Sequence, residues 1–223
     1  MAYKNKTVTL DSVEYVIDSE NQLIRMRKYG PPKDVFIPSV FPSDERIKSI
    51  GHHFTEGLYL TITVDNSISQ IDHHAFTDAK AQAVVWPDSC LTIPAGCFVD
   101  STISCVKNTD HVESIGNWAF NRSNITTFKW PSKCRAIPKA CFASSKLKDI
   151  QNIQNISSIG TAAFWDVSLN EKLDLSKSEL TDSDISDSAF AHFGKEMVIL
   201  PYYVSKDVFH SSCDILEEVA FYE

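Results

Sequence analysis

Phenylalanine recurs along this chain at a fixed interval. Phe54, Phe76, Phe98, Phe120, Phe142 and Phe164 are 22 residues apart, and Phe190 and Phe209 follow after steps of 26 and 19. A fixed period of roughly 20 to 50 residues signals a stack of similar units, none of which can bury its apolar face alone. An isoleucine stands five residues before most of these rings, in Ile71, Ile93, Ile115, Ile137, Ile159 and Ile185, and Ile50 stands four before Phe54. Further back, Ile125, Phe128, Trp130, Pro131, Cys134, Ile137 and Phe142 answer Ala81, Val84, Trp86, Pro87, Cys90, Ile93 and Phe98. Each unit therefore offers the same set of inward slots.

The residue just before the Phe is small: Ala75, Cys97, Ala119, Cys141, Ala163 or Ala189. A larger side chain would clash where neighbouring coils approach closely, and a buried Cys serves there as a small apolar group. A double period of 44 residues lies over the single one. Trp86-Pro87 answers Trp130-Pro131, Ile93-Pro94 answers Ile137-Pro138, and Ile115-Gly116 answers Ile159-Gly160. Within a unit, Phe128-x-Trp130 or Val84-x-Trp86 closed by Pro reads as a short strand, which stops where the ring cannot donate to a ladder. The stretch Ile115 to Phe120 is too short for an independent helix and reads as a helical turn or compact loop.

The expected fold class is thus a repeat solenoid of the leucine-rich-repeat kind. Short parallel strands lie on one face, turns or short helical turns on the other, and the rings form a continuous spine. Residues 35–209 are expected to hold about eight repeats. Residues 1–34 should form an N-terminal β-hairpin cap, because Thr7 to Arg27 alternates apolar and polar residues around Asp18 to Asn21. Residues 210–223 read as an acidic C-terminal tail or cap, and the extra residues near Ser176 to Asp184 as a bulging loop. All of this belongs to one structural domain.

The net charge of −8 argues against general nucleic-acid binding, which needs Lys and Arg to replace counterions around phosphates. The acidity is local: up to Trp165 there are 17 basic and 16 acidic residues, whereas Asp166 to Glu223 carries 4 and 13. That end reads as a solubilising cap, with a docking face for a basic partner as the alternative. Nothing approaches the roughly 18 apolar residues of a membrane span, so no membrane insertion is expected. Met1 to Asp11 lacks the apolar core of a secretion leader, so a cytoplasmic or virion-associated location is the expectation unless a leader has been removed.

Ile-Pro or Ile-Gly, a few variable residues, then a small residue and Phe, on a repeat of 22 residues from about Val35 to Phe209, resembles the BspA-like class of leucine-rich repeats. The resemblance implies a binding scaffold. Members of that class are commonly surface or secreted proteins of bacteria and mucosal protozoa that attach to host proteins or other cells, and related repeats occur in viruses of gut bacteria.

The motifs of catalysis are missing: there is no phosphate-cradling glycine loop, metal-binding His pair on a helix, nucleophile elbow or Cys-x-x-Cys. No enzyme, cofactor or catalytic residue is expected. The pairs His52-His53 and His73-His74 fall at near-equivalent positions of adjacent coils, so stacking could bring four imidazoles together, and nitrogen-rich sets suit zinc or nickel. The same positions hold Asn117-Trp118 and Thr161-Ala162 later on, so the favoured reading is an exposed, unconstrained slot with no metal. Cys90 and Cys134 share a slot two coils apart, as do Cys97 and Cys141, about 10 Å and thus beyond disulfide reach. Cys90 with Cys97 inside one coil stays open, with buried reduced thiols as the better reading.

Trp86 and Trp130 alternate in their strand slot with Asn108 and Asn152 and read as packed rings beside an Asn that bonds neighbouring backbone. Trp118 and Trp165 differ, since their counterparts are polar or small, and they should be partly exposed. Trp and Tyr are over-represented among binding hot spots. Trp118, Trp165 and the Tyr202-Tyr203 pair are therefore the candidate binding residues, for a protein partner contacted chiefly in the last two coils. A non-catalytic interaction or adhesion module is the leading expectation. The alternative is a structural component of a virion or surface assembly that self-associates as a homo-oligomer or packs on a neighbouring subunit.

Overall fold

The computed structural model describes residues 5–193, 198–205 and 220–221. Three strands open the chain: β1 (Lys6–Leu10), β2 (Val13–Ile17) and β3 (Gln22–Lys28), paired antiparallel in sequence order. The expected hairpin around Asp18 is there, with the Asp18 carboxylate accepting from the Glu20 and Gln22 amides. A second reversal at Asp11-Ser12 makes it a three-stranded meander. Both of those residues have positive φ, the mirror-image turn that matches strand twist. Asp-Ser lacks the Gly or Asn that normally announces such a turn, which is why the pattern alone gives only two strands.

β3 is also where the architecture changes. Its other edge pairs in parallel with Ser49–Ile50, aligning Leu23 with Ile50, so the meander templates the first coil. From there the chain winds as a β-solenoid of about seven turns, each coil contributing to two parallel ladders. The longer ladder runs from β4 (Lys33–Ile37) through Leu58–Val64 and Lys80–Val85 to Cys105–Lys107, and continues with Thr127–Lys129 beside Asp149–Gln151. The shorter ladder consists of two-residue strands: Ser49–Ile50 pairs Gln70–Ile71, Thr92–Ile93 pairs Ser114–Ile115, and Ala136–Ile137 pairs Ser158–Ile159. The stretches that read as a helical turn or compact loop form this second ladder followed by tight turns, and the only helical piece among the described residues is a 3-10 turn, Asp182–Asp184. It lies in the enlarged seventh coil, where the Thr181 amide donates to the Asp184 carboxylate.

The phenylalanine spine is continuous. Phe76, Phe98, Phe120, Phe142, Phe164 and Phe190 are buried and stack ring on ring at 5.3 to 5.7 Å. Offset stacking at this spacing adds roughly 0.5–1.5 kcal/mol per pair to the burial of each ring. The rings of Trp86 and Trp130 are buried as well, and their indole N–H groups donate to the Cys90 and Cys134 carbonyls at 3.0 and 2.7 Å. One coil on, the Asn108 and Asn152 side chains donate to the Trp86 and Trp130 carbonyls at 2.8 and 2.7 Å. Alternation in that slot thus satisfies the strand-end carbonyl of every second coil.

The double period has a steric cause. A Cβ on Gly160 would come within 2.6 Å of the Lys139 backbone nitrogen and 2.9 Å of the Pro138 carbonyl carbon, and one on Gly116 would meet the backbone of Pro94 and Ala95 still more closely. The Ile-Pro coil therefore presses its backbone into the place where the next coil must have Gly. Toward the C-terminal end, Leu173–Asp174, Val198–Leu200 and Ala220–Phe221 form a parallel sheet in that order. The tail thereby contributes a strand of its own. Phe209, the ring expected in an eighth coil, and the rest of the 210–223 segment lie outside the described residues.

Candidate functional site

Each coil leaves its short strand through a turn with two residues of positive φ, four positions apart. These are His74 and Asp78, Gly96 and Asp100, Trp118 and Arg122, Ala140 and Ser144, Ala162 and Asp166, Ser188 and His192. The Phe ring enters the core between them. Backbone amides on this edge donate to carbonyls one coil on, as in Phe98 to Ala119 at 2.8 Å, Trp118 to Lys139 at 2.9 Å and Phe120 to Cys141 at 2.9 Å. The stack dictates the backbone here, and non-glycine residues adopt the left-handed region at a cost of about 1–2 kcal/mol each. Their side chains point away from the spine and differ from coil to coil.

One of these outward positions carries an indole: Trp118, at φ 57°, is 41% exposed. A second indole, Trp165, stands immediately before the positive-φ Asp166 and is 47% exposed. They lie two coils apart, about 10 Å along the stack. Each touches a side chain of the following coil: the Lys139 ammonium sits 5.7 Å from the Trp118 ring centroid, and the His192 ring stacks on Trp165 at 6.2 Å. The position equivalent to Trp118 holds Ala140 in the next coil and Ala162 in the coil that carries Trp165. The tyrosine pair lies near the C-terminal end. Tyr202 is 73% exposed, whereas Tyr203 is 51% exposed and donates its hydroxyl to the Ser178 carbonyl at 3.1 Å. The two rings meet edge to face at 5.3 Å.

The histidines occupy the opposite, N-terminal end of the same edge. His52 and His73 meet edge to face with 4.0 Å between ring centroids, and His53 and His74 stack at 6.3 Å. His52 Nε2 is 3.9 Å from the Asp72 carboxylate and His53 Nδ1 is 4.0 Å from that of Asp78. Burial, with the neighbouring imidazoles next, holds His74 below its ordinary pKa. Among the described residues no group of three or more His, Cys, Asp or Glu side chains is placed to hold a metal ion. The slot is exposed, as its variability implies, yet the stack does assemble the four rings.

Burial suppresses thiolate formation at four of the cysteines among the described residues. Burial pushes Cys90 and Cys134 up to about 11, and Cys97 and Cys141 well above the ordinary thiol range. Cys90 Sγ donates to the Ile68 carbonyl at 3.2 Å, and the five cysteines among the described residues are all free. Exposed apolar side chains that the repeat pattern does not single out are Tyr29, Phe36, Val40, Leu58 and Leu91. Phe36 is the first member of an outward column on the long ladder, followed by Thr63, Val85 and Lys107. From Thr63 through Val85 to Lys107 the column keeps the 22-residue period, but Phe36 precedes Thr63 by 27 residues, so only the pairing register leads back to Phe36.

A leucine-rich repeat protein from Bacteroides ovatus ATCC 8483 superposes with a TM-score of 0.56 at 18% identity, covering 91% of this chain and 58% of that one. A leucine rich cell surface protein from Faecalibacterium prausnitzii A2-165 aligns with a TM-score of 0.45 at 12% identity, covering 92% of this chain and 55% of that one. The chain thus spans a little over half the length of these solved structures. No curated protein sequence matches it. The model of the BspA type leucine-rich repeat region matches six copies across residues 48–171, a family and fold that are typically non-catalytic. With its spine, ladders and left-handed turns in the same register, the chain belongs to the BspA-type leucine-rich repeat family.

Proposed function

We propose that the chain is a non-catalytic scaffold that binds a protein partner along its turn edge, with Trp118 and Trp165 as anchors. Trp118 carries the argument. A bulky residue at positive φ is a genuine outlier, the following coils fill the same position with Ala140 and Ala162, and the indole stays 41% exposed. Neither packing nor backbone preference accounts for it, whereas an exposed indole beside small residues suits the aromatic anchor of an interface. Trp165 adds a second anchor two coils on, and Tyr202 and Tyr203 extend the contact toward the last coils. An adhesion role is one form of this reading.

The test compares proteins captured by the wild-type chain with those captured by a W118S/W165S double variant of equal thermal midpoint. A specific partner retained by the wild type and lost by the variant is the expected result. A partner retained equally by both would overturn the assignment of the edge. The second reading, a structural subunit of a virion or surface assembly, is favoured by the exposed apolar side chains Phe36 and Leu58 near the first coils. Mass-resolved size-exclusion chromatography separates the two: a monomer across concentrations is expected of the scaffold, and a stable defined oligomer of the assembly component.

A further inference from the structure

Two coils carry a pair of cations just before their short strand: Arg46 and Lys48 before Ser49–Ile50, and Lys133 and Arg135 before Ala136–Ile137. The later pair is neutralised from other coils. Lys133 donates to the Glu113 carboxylate at 2.7 Å and Arg135 to that of Glu179 at 2.9 Å. The earlier pair is not: Arg46 is the one arginine without a carboxylate partner among the described residues, and Lys48 has none either. Both are held on a fixed backbone, with the Ile47 amide donating to the Ser39 carbonyl at 2.8 Å and the Lys48 amide to that of Asn21 at 2.9 Å. They line a cavity of about 500 Å³ that meets a second, of about 680 Å³, at Ser69 and Gln70. Val40 stands exposed in the first cavity and Leu91 in the second. The second also holds Asp72, whose carboxylate accepts from Gln22 Nε2 at 2.8 Å. The two cavities thus make one groove across the first three coils, cationic at one end and apolar with a carboxylate at the other.

We propose that this groove binds an extended acidic peptide segment of a partner protein, with two carboxylates against Arg46 and Lys48 and an apolar side chain on Leu91. Charge complementarity selects the occupant. The peptide supplies to the first coil what Glu113 and Glu179 supply to Lys133 and Arg135, and charge-assisted bonds to guanidinium and ammonium groups are about twice as strong as neutral ones. Lys48, Ser69 and Leu91 each stand immediately before the short strand of their coil, so Lys48 and Leu91 are two coils apart, about 10 Å. An extended chain covers that in about three residues, which sets the spacing acidic-acidic-x-x-apolar. Asp72 repels a further carboxylate and so keeps the acidic residues at the first coil. The exposed Ser69 and Gln70 side chains lie between the two ends, where the peptide backbone passes. Neither Trp118 nor Trp165 lines either cavity, so peptide binding here is independent of the turn edge.

The experiment titrates the full chain into a fluorescein-labelled peptide, Ser-Gly-Glu-Glu-Ser-Gly-Leu-Ser, and into its counterpart with Gln for both Glu, and reads fluorescence anisotropy. Saturable binding of the glutamate peptide is expected, weakening as salt is added, with the glutamine peptide bound at least about tenfold more weakly. R46S and K48S should each cost about tenfold in affinity and L91S less, while K133S, whose ammonium is already paired with Glu113, should leave it unchanged. All four side chains are exposed, and equal thermal midpoints confirm that the variants are folded. No binding by the wild type, equal binding of the two peptides, or undiminished affinity in R46S/K48S would each overturn the proposal. So would displacement of the labelled peptide by a single-stranded DNA oligonucleotide more readily than by unlabelled peptide, since the cations would then serve a polyanion.

Discussion

The spine and the turn edge are a few residues apart in every coil, yet they obey opposite rules. Along the spine the side chain is fixed and the backbone follows: Phe76 through Phe190 recur because each ring packs on the next. Along the edge the backbone is fixed and the side chain is free: one positive-φ position holds His74, Gly96, Trp118, Ala140, Ala162 and Ser188 in turn. Inter-coil hydrogen bonds determine the turn conformation without involving the side chain, so residue identity there is open to selection for something other than folding. A difference between coils is therefore uninformative about stability on the edge and highly informative in the core.

This contrast can be broken from either side. The largest expected effect is on the spine, where F120A removes a ring stacked between Phe98 and Phe142 and should cost about 3–5 kcal/mol in denaturant unfolding. Next is G160A, which drives a methyl group against the backbone of the coil before it and should cost about 1–3 kcal/mol by the same measurement. A substitution in the small-residue register that leaves stability untouched would mean the coils are not as closely apposed as described. W118G should change stability by less than about 1 kcal/mol, since relief of the left-handed strain offsets the added chain entropy of glycine, while partner capture falls.

The smallest effect concerns pH. His74 has a folded-state pKa held down by burial and by its neighbours, so the folded chain binds fewer protons there than the unfolded chain. Stability from this group is present above the ordinary His value of about 6.5 and is lost as the pH falls through it. Unfolding curves between pH 7.5 and 5 should show this slope in the wild type and a shallower one in H74N.

The sequence discloses the spine because a buried slot tolerates so few side chains that its period survives in the letters. The parallel strands, the packed Trp86 and Trp130, and the exposure of Trp118 and Trp165 follow from the same register. The left-handed turns are not legible, because Arg122, Trp118 and Ala140 adopt positive φ against their own preferences, under hydrogen bonds to the next coil. The Asp11-Ser12 turn is hidden for a related reason. The histidines are legible as near-equivalent pairs, but the hydrogen bond that the Gln22 side chain donates to the Asp72 carboxylate, 50 residues away, joins the opening meander to a later coil and has no signature in the period.

The alternation of Ile-Pro and Ile-Gly coils also governs how such a molecule can change its length. Removing 22 residues around Gly116 would place the Pro138 coil directly on the Pro94 coil, with a pyrrolidine ring where the structure has room only for hydrogen. Removing 44 residues restores the alternation and leaves every remaining junction as it was. The heritable unit of growth and loss in this solenoid is thus the pair of coils, even though the unit of folding geometry is the single turn.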